Sequence, residues 1–415
     1  MIAPSVVTVV LIVFAVVAFR WPRYAVAGLV VGAPAYLLRS TLVGYPTTAL
    51  EAGVLGTVAG WLAGIVARQS FGNVVAQLRL IFDRPLIVAL AVTVTGWLVA
   101  TAASINLPAS LGALKAWLVE PLLISLIVVH EFRTSADQRL LRTALLAALL
   151  WVSVVGLVQL ATFRSTVEGG RLSSVFAPVA NYLAMFIVPL LVLAVGWWLQ
   201  RQAWWLSGIS AVLGAAALLL SFSFGGYLAL VAGLLVLAIR LLDPIRRRRP
   251  LMLITVVGGL LLLILSPTHY LREKLNFVTR SSSLVRTQIW RTAVEVGREH
   301  PLLGIGPNTF EQAYRATVPR LYFPPLEWLV AKPHNLYLNL WLETGVLGLI
   351  GTLWLLGLCL RRMWGQPAGS VYAAAIISIL AHGLVDTPLF KNDLALLAAV
   401  IIALGLLSAT SPTQN

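Results

Sequence analysis

Long apolar stretches separated by short turns of Arg, Gly and Pro run through most of the 415-residue chain. They predict membrane-spanning helices at about 3–19, 24–41, 47–67, 85–104, 109–130, 139–163, 175–196, 203–221, 224–242, 250–266, 335–360, 367–387 and 393–409. Each approaches the ~20 residues a helix needs to cross a ~30 Å hydrocarbon core. The pattern is that of an all-α polytopic membrane protein with about 12–13 transmembrane helices. One long polar loop, 267–334, interrupts it and divides an N-terminal helix bundle (1–266) from the C-terminal helices (335–415). Within the loop, Leu284, Ile289, Ala293 and Val296 fall near helical spacing, with Arg and Glu on the opposite face. That spacing predicts a short amphipathic helix, which Ser283 could cap. Asn308 and Glu311 have the spacing of a capping box for a second short helix, TFEQAYRAT, and Pro324-Pro325 marks a turn.

Composition agrees with the pattern. The chain is 59% hydrophobic and only 11% charged, against roughly 25% charged in soluble domains. A net charge of +15 would point to nucleic acid in a soluble protein. In a membrane protein Lys and Arg first set orientation, because cytoplasmic loops retain them. Nucleic acid is therefore not expected; membrane lipids and an anionic substrate are. With alternating helices, Arg20/Arg23, Arg68/Arg79/Arg84, Arg133/Arg139/Arg142, Arg201, Arg246 to Arg249 and Arg361/Arg362 all fall on one side. That side is predicted to be cytoplasmic, which puts segment 267–334 outside. The N-terminal stretch lacks the basic start of a cleaved signal peptide and reads as the first span. A single cysteine, Cys359, excludes an intrachain disulfide and a cysteine metal cluster. No Walker A, GxSxG or HExxH pattern is present.

Several residues have the chemistry of a site. Arg286, Arg291 and Arg298 on the amphipathic helix could grip phosphate oxygens through a fixed fork of donors, or simply touch lipid headgroups. His334 opens a membrane helix, where its near-neutral pKa suits a general base; with Asn335 it could instead cap that helix. Arg171 lies where it could reach an anion from the same side as Arg286. Asn181, a few residues into a span, should face protein or water because polar groups at that depth are costly. Glu343, inside the following span, needs a partner, and an Arg from an outer loop is the expected one. Asp386, Lys391 and Asp393 flank the last outer turn and read as loop solvation.

The order of these elements is specific. RTQIWRTAVEVGREHPLLGIGPNTFEQAY, followed by HNLYLNLWLETGVLGLIG, closely resembles the signature region of the O-antigen ligase and O-antigen polymerase superfamily. The resemblance is firm over about 286–351 and looser over RLSSVFAPVANYLA at 171–184. It implies a bacterial glycosyltransferase at the outer face of the inner membrane, which moves a glycan from undecaprenyl diphosphate to an acceptor. On that resemblance Arg286 and Arg171 bind the diphosphate, His334 orients or deprotonates the acceptor hydroxyl, and Glu343 supports the Arg or His arrangement. Arg291, Asn181, Tyr314 and Asn335 are carried over as substrate-binding residues, with neither metal nor cofactor expected. Lipid A–core oligosaccharide is the acceptor of a ligase; a growing glycan or a protein hydroxyl would serve other members. A transporter of lipid-linked glycan is the alternative from another class, and it would scatter polar residues through the spans. One departure is the tight turn Ser223-Phe224-Gly225, where many members carry Ser-Arg-Gly.

Overall fold

A computed structural model describes residues 2–68, 71–162, 171–241 and 281–410. The expected span at 250–266, the basic run Arg246 to Arg249, loop residues 267–280, and Arg164 and Glu168 lie outside these. The architecture is all-α and polytopic, with eight described helices long and apolar enough to cross a membrane and four shorter apolar ones.

The N-terminal half comprises α1 (Pro4–Arg20), α2 (Pro22–Val31), α3 (Ala49–Ala67), α4 (Phe71–Ile81), α5 (Arg84–Ala102), α6 (Leu107–Leu114), α7 (Glu120–Glu131) and α8 (Ser135–Ala161). It is followed by α9 (Ala180–Leu199), α10 (Trp204–Leu220) and α11 (Phe224–Leu241). The loop region forms α12 (Ser281–Glu299) and α13 (Phe310–Leu321); α14 (Leu336–Trp364), α15 (Pro367–His382) and α16 (Asn392–Thr410) complete the described chain. α9 and α16 are the most enclosed of the described spans. Close approach is bought with small residues, as usual in bilayers. A Cβ on Gly60 of α3 would lie 2.0 Å from the Ala15 carbonyl of α1. One on Gly96 of α5 would lie 2.3 Å from the Gly348 nitrogen of α14.

Three local expectations change. The run at 24–41 does not make one helix: α2 stops at Gly32, and Pro34 leads into a 3-10 turn and a two-stranded hairpin, β1 (Arg39–Leu42) and β2 (Tyr45–Thr48). The capping box between Asn308 and Glu311 is not formed. Asn308 is left-handed (φ 60°), and Thr309 turns its hydroxyl back to the carbonyls of Ile305 and Gly306. The span at 109–130 begins as α6, widens through a π-helical turn at Lys115–Val119 and continues as α7.

Two of the motif glycines, Gly304 and Gly345, are explained by one junction. α14 breaks at Gly345, whose φ of 67° and ψ of −179° leave the helical region. The Leu342 carbonyl freed there accepts from the Ile305 amide at 2.7 Å, and the Val346 amide donates to the Leu302 carbonyl at 3.0 Å. A Cβ on Gly345 would lie 2.4 Å from the Leu302 oxygen, and one on Gly304 (φ 71°) 2.4 Å from the Leu342 oxygen. The Leu-Gly-Ile-Gly turn is thus clipped into a gap in a membrane helix. On its other side Ile105 donates to the Ile305 carbonyl, and Ser110 to that of Pro307. Above the junction α12 and α13 share a small core of Ile289, Ala293, Val296, Phe310, Tyr314 and Val318.

G345A should therefore lower the unfolding temperature in detergent, because a left-handed non-glycine residue alone costs about 1–3 kcal/mol. Gly357 has open space around its Cβ position. G357A should leave the unfolding temperature unchanged or raise it slightly, by about 0.5–1 kcal/mol at most. Tryptophan fluorescence during heating measures both.

Candidate active site at the mouth of α14

The five residues leading into α14 are each held by a different partner. Lys332 Nζ donates to both Glu343 oxygens, at 2.7 and 3.0 Å. Trp290 of α12 donates its ring N–H to the Pro333 carbonyl at 2.9 Å. His334 Nδ1 lies 3.3 Å from Asp386 Oδ1. Asn335 caps α14, its Oδ1 accepting from the amides of Tyr337 and Leu338, while its Nδ2 donates to the Leu384 carbonyl. The Leu336 amide donates to the Gly383 carbonyl at 2.7 Å. His334 itself is left-handed (φ 48°). Such a conformation persists only where the surroundings over-determine it, as they do here.

Asp386 is the hub. Its Oδ1 also accepts from the Thr387 amide at 3.1 Å. Its Oδ2 accepts from Asn181 Nδ2 at 3.4 Å; Asn181 Oδ1 in turn accepts from Arg171 Nη2 at 2.7 Å, and Arg171 Nε donates to the Ser221 carbonyl at 3.0 Å. Arg286 and His382 lie within electrostatic reach of the same carboxylate. Burial opposes ionisation of Asp386, but the hydrogen bond and charge of His334, with His382 and Arg286, outweigh it and hold the carboxyl below its ordinary range. An ionised Asp386 only accepts, so the proton in this contact sits on His334 Nδ1; in the neutral form of the imidazole Nε2 carries the lone pair. The imidazole is partly exposed. A carboxylate-oriented imidazole with two guanidiniums nearby can take a proton and receive an anion.

The structure brings Arg171, Asn181, Asp386 and His334 into one chain of contacts and sets Arg286 beside it. Arg291 points elsewhere, exposed on another face of α12. Tyr314 is fully buried; its hydroxyl accepts from Gln288 at 2.7 Å and donates to the Glu327 carbonyl at 3.0 Å. Tyr314 and Asn335 thus spend their hydrogen bonds inside the fold, on packing and on capping. Glu343 is wholly buried, and its partner is Lys332 rather than an arginine, because the 322–335 segment folds that lysine inward. The Lys332 ammonium also lies 4.3 Å from the Trp117 ring centroid, a contact worth ~2 kcal/mol when desolvated.

Asp386, Lys391 and Asp393 are not a solvated loop. Asp386 and Asp393 are buried, and the Lys391 ammonium sits 3.5 Å from the Tyr182 ring centroid, with Tyr36 and Phe176 also around it. Burial pushes Lys391 down to about 8, against the pull of Asp393 and Asp386. At the tight turn before α11, a Cβ on Gly225 would lie 2.7 Å from Val385 and 2.9 Å from His382. The turn is therefore pressed directly onto the segment that carries Asp386. Among the described residues no three His, Cys, Asp or Glu side chains gather as a metal site.

Residues 209–353 match the model of the O-antigen ligase family. The match bears out the resemblance read from the sequence. It supports a membrane glycosyltransferase of the ligase or polymerase type, and it contains Arg286, His334 and Glu343. Arg171, Asn181 and Asp386 lie outside it and are joined to it by geometry. No curated protein matches the chain.

The lowered Asp386 pKa sets the sign of an acid effect. Its contribution to stability is complete above the ordinary carboxylate pKa of about 3.9. It is lost as the pH falls from there through the lowered native value. D386N should be less stable than wild type at neutral pH, and the gap in unfolding temperature should narrow as the pH falls below about 3.9.

Proposed function

We propose that the protein is an O-antigen ligase-type glycosyltransferase that moves a polysaccharide from undecaprenyl diphosphate to lipid A–core oligosaccharide. The observation that carries this reading is the Arg171–Asn181–Asp386–His334 chain, with Arg286 alongside, at one end of the helix bundle. The short loops at the opposite end are basic: Arg23 pairs with Asp137 and Glu131, Arg142 with Gln202, and Arg362 with Asp83. By the rule that basic loops stay cytoplasmic, the site faces the periplasm of a bacterial inner membrane.

In this reaction the acceptor hydroxyl attacks the anomeric carbon of the donor glycan. Its proton passes to His334 Nε2, and the bond between that carbon and the diphosphate oxygen breaks with the electron pair leaving on oxygen. Arg286 and Arg171 meet the charge that builds on the diphosphate. Asp386 fixes the imidazole and stabilises the imidazolium formed. A lipid diphosphate is already a good leaving group, so positive charge and orientation do most of the work. Phe224 stands where many family members carry Arg, and Arg171, bonded to Ser221 in that same turn, supplies a guanidinium there.

The test is purified protein in detergent with an undecaprenyl-diphosphate-linked glycan and lipid A–core. Wild type should transfer glycan to lipid A–core. H334A should lose at least about 100-fold, the scale of a general base, and R286A should fall comparably. Longer lipid-linked glycan with untouched lipid A–core would make the protein a polymerase, and absence of any turnover would contradict the transferase reading.

A further inference from the structure

We propose that Lys332, acting with Glu343, is a positioning residue that holds His334 in its left-handed conformation for transfer. The proposal rests on the glycosyl-transfer reading above, and it assigns a role to a lysine that neither the motif nor the mechanism uses. The arginines Arg291 and Arg298 of the outer region are exposed, whereas Lys332 turns inward and only 14% of its side chain is exposed. Its two hydrogen bonds reach a carboxylate with no exposure at all, which Asn339 also contacts at 3.3 Å from the preceding turn of α14.

The ammonium joins three elements. It is hydrogen-bonded to α14, it lies over Trp117 between α6 and α7, and its Nζ is 5.5 Å from the Phe390 ring centroid. Trp117 in turn donates to Asn392 Oδ1 at the start of α16, at 3.0 Å. Phe390 and Asp386 belong to the same turn between α15 and α16. Lys332 and His334 are therefore two residues apart in the chain and docked on the same turn. The residue between them is Pro333, whose ring fixes φ and passes a displacement on rather than absorbing it. If Lys332 lets go, His334 Nδ1 moves relative to Asp386, and the imidazole loses its orientation without losing its chemistry.

K332M alone would strand a buried charge on Glu343 and destabilise the fold. K332M/E343Q removes both charges and separates positioning from folding. We expect this double variant to keep the wild-type unfolding temperature within a few degrees. Its kcat should fall at least about tenfold, since a displaced catalytic group costs that much or more. Its KM for the lipid-linked donor should change less than about threefold, because ground-state binding is untouched. Carbon-13 labelling of histidine, with H334Q to assign the signal, should show the His334 resonance shifted in the double variant. Wild-type kcat with an unmoved His334 resonance would overturn the proposal. So would a loss spread equally over kcat and KM together with a lowered unfolding temperature, the mark of a merely structural pair. If wild type itself shows no turnover, the transferase reading fails, and the His334 resonance alone decides for or against the positioning pair.

Discussion

A peptide group inside a bilayer has no water to fall back on, and the break in α14 exists only because another backbone fills it. The Leu342 carbonyl and Val346 amide left over at Gly345 are taken by Ile305 and Leu302 of the loop region. Those two hydrogen bonds do more than satisfy polar atoms at costly depth. They dock the polar loop region onto a membrane helix at a fixed height and rotation. Trp290 and Arg286 then arrive beside the residues that open α14. Gly304 and Gly345 are required for geometry: two backbones meet there where no Cβ fits.

Above that junction, charge is arranged so that each buried ion has company. Asp386 is surrounded by His334, His382, Arg286 and, through Asn181, Arg171. Glu343 has Lys332, and Lys391 has an aromatic surround with Asp393 nearby. Buried ions without partners cost several kcal/mol each, so this concentration at one end of the bundle needs a purpose. In the proposed glycosyl transfer, recognition of an anionic lipid headgroup and proton transfer from an acceptor hydroxyl supply one.

Much of this was legible in the chain. Apolar run length located most spans within a few residues, and the alternation of basic loops put His334, Arg171 and Arg286 at one end. The cost of polar groups at depth pointed Asn181 inward, where it links Arg171 to Asp386. What stayed hidden depends on distant pairing. Asp386 looks like any loop acid until the fold sets it beside a histidine 52 residues earlier. Lys332 looks like a solvated loop residue until its segment turns inward. The gap at Gly345 is not legible as a break, because the apolar run resumes directly after it at Val346. The hairpin after α2 is not legible in the apolar pattern, because Tyr, Leu and Val there suit a strand as well as a span, and Pro34 decides between them.

The most direct measurement is an experimental structure of the protein with undecaprenyl diphosphate bound. The account predicts the diphosphate within hydrogen-bond distance of Arg286 and Arg171, with His334 Nε2 facing the space where the sugar would be attached. A diphosphate seated elsewhere, with His334 turned away from it, would contradict the account.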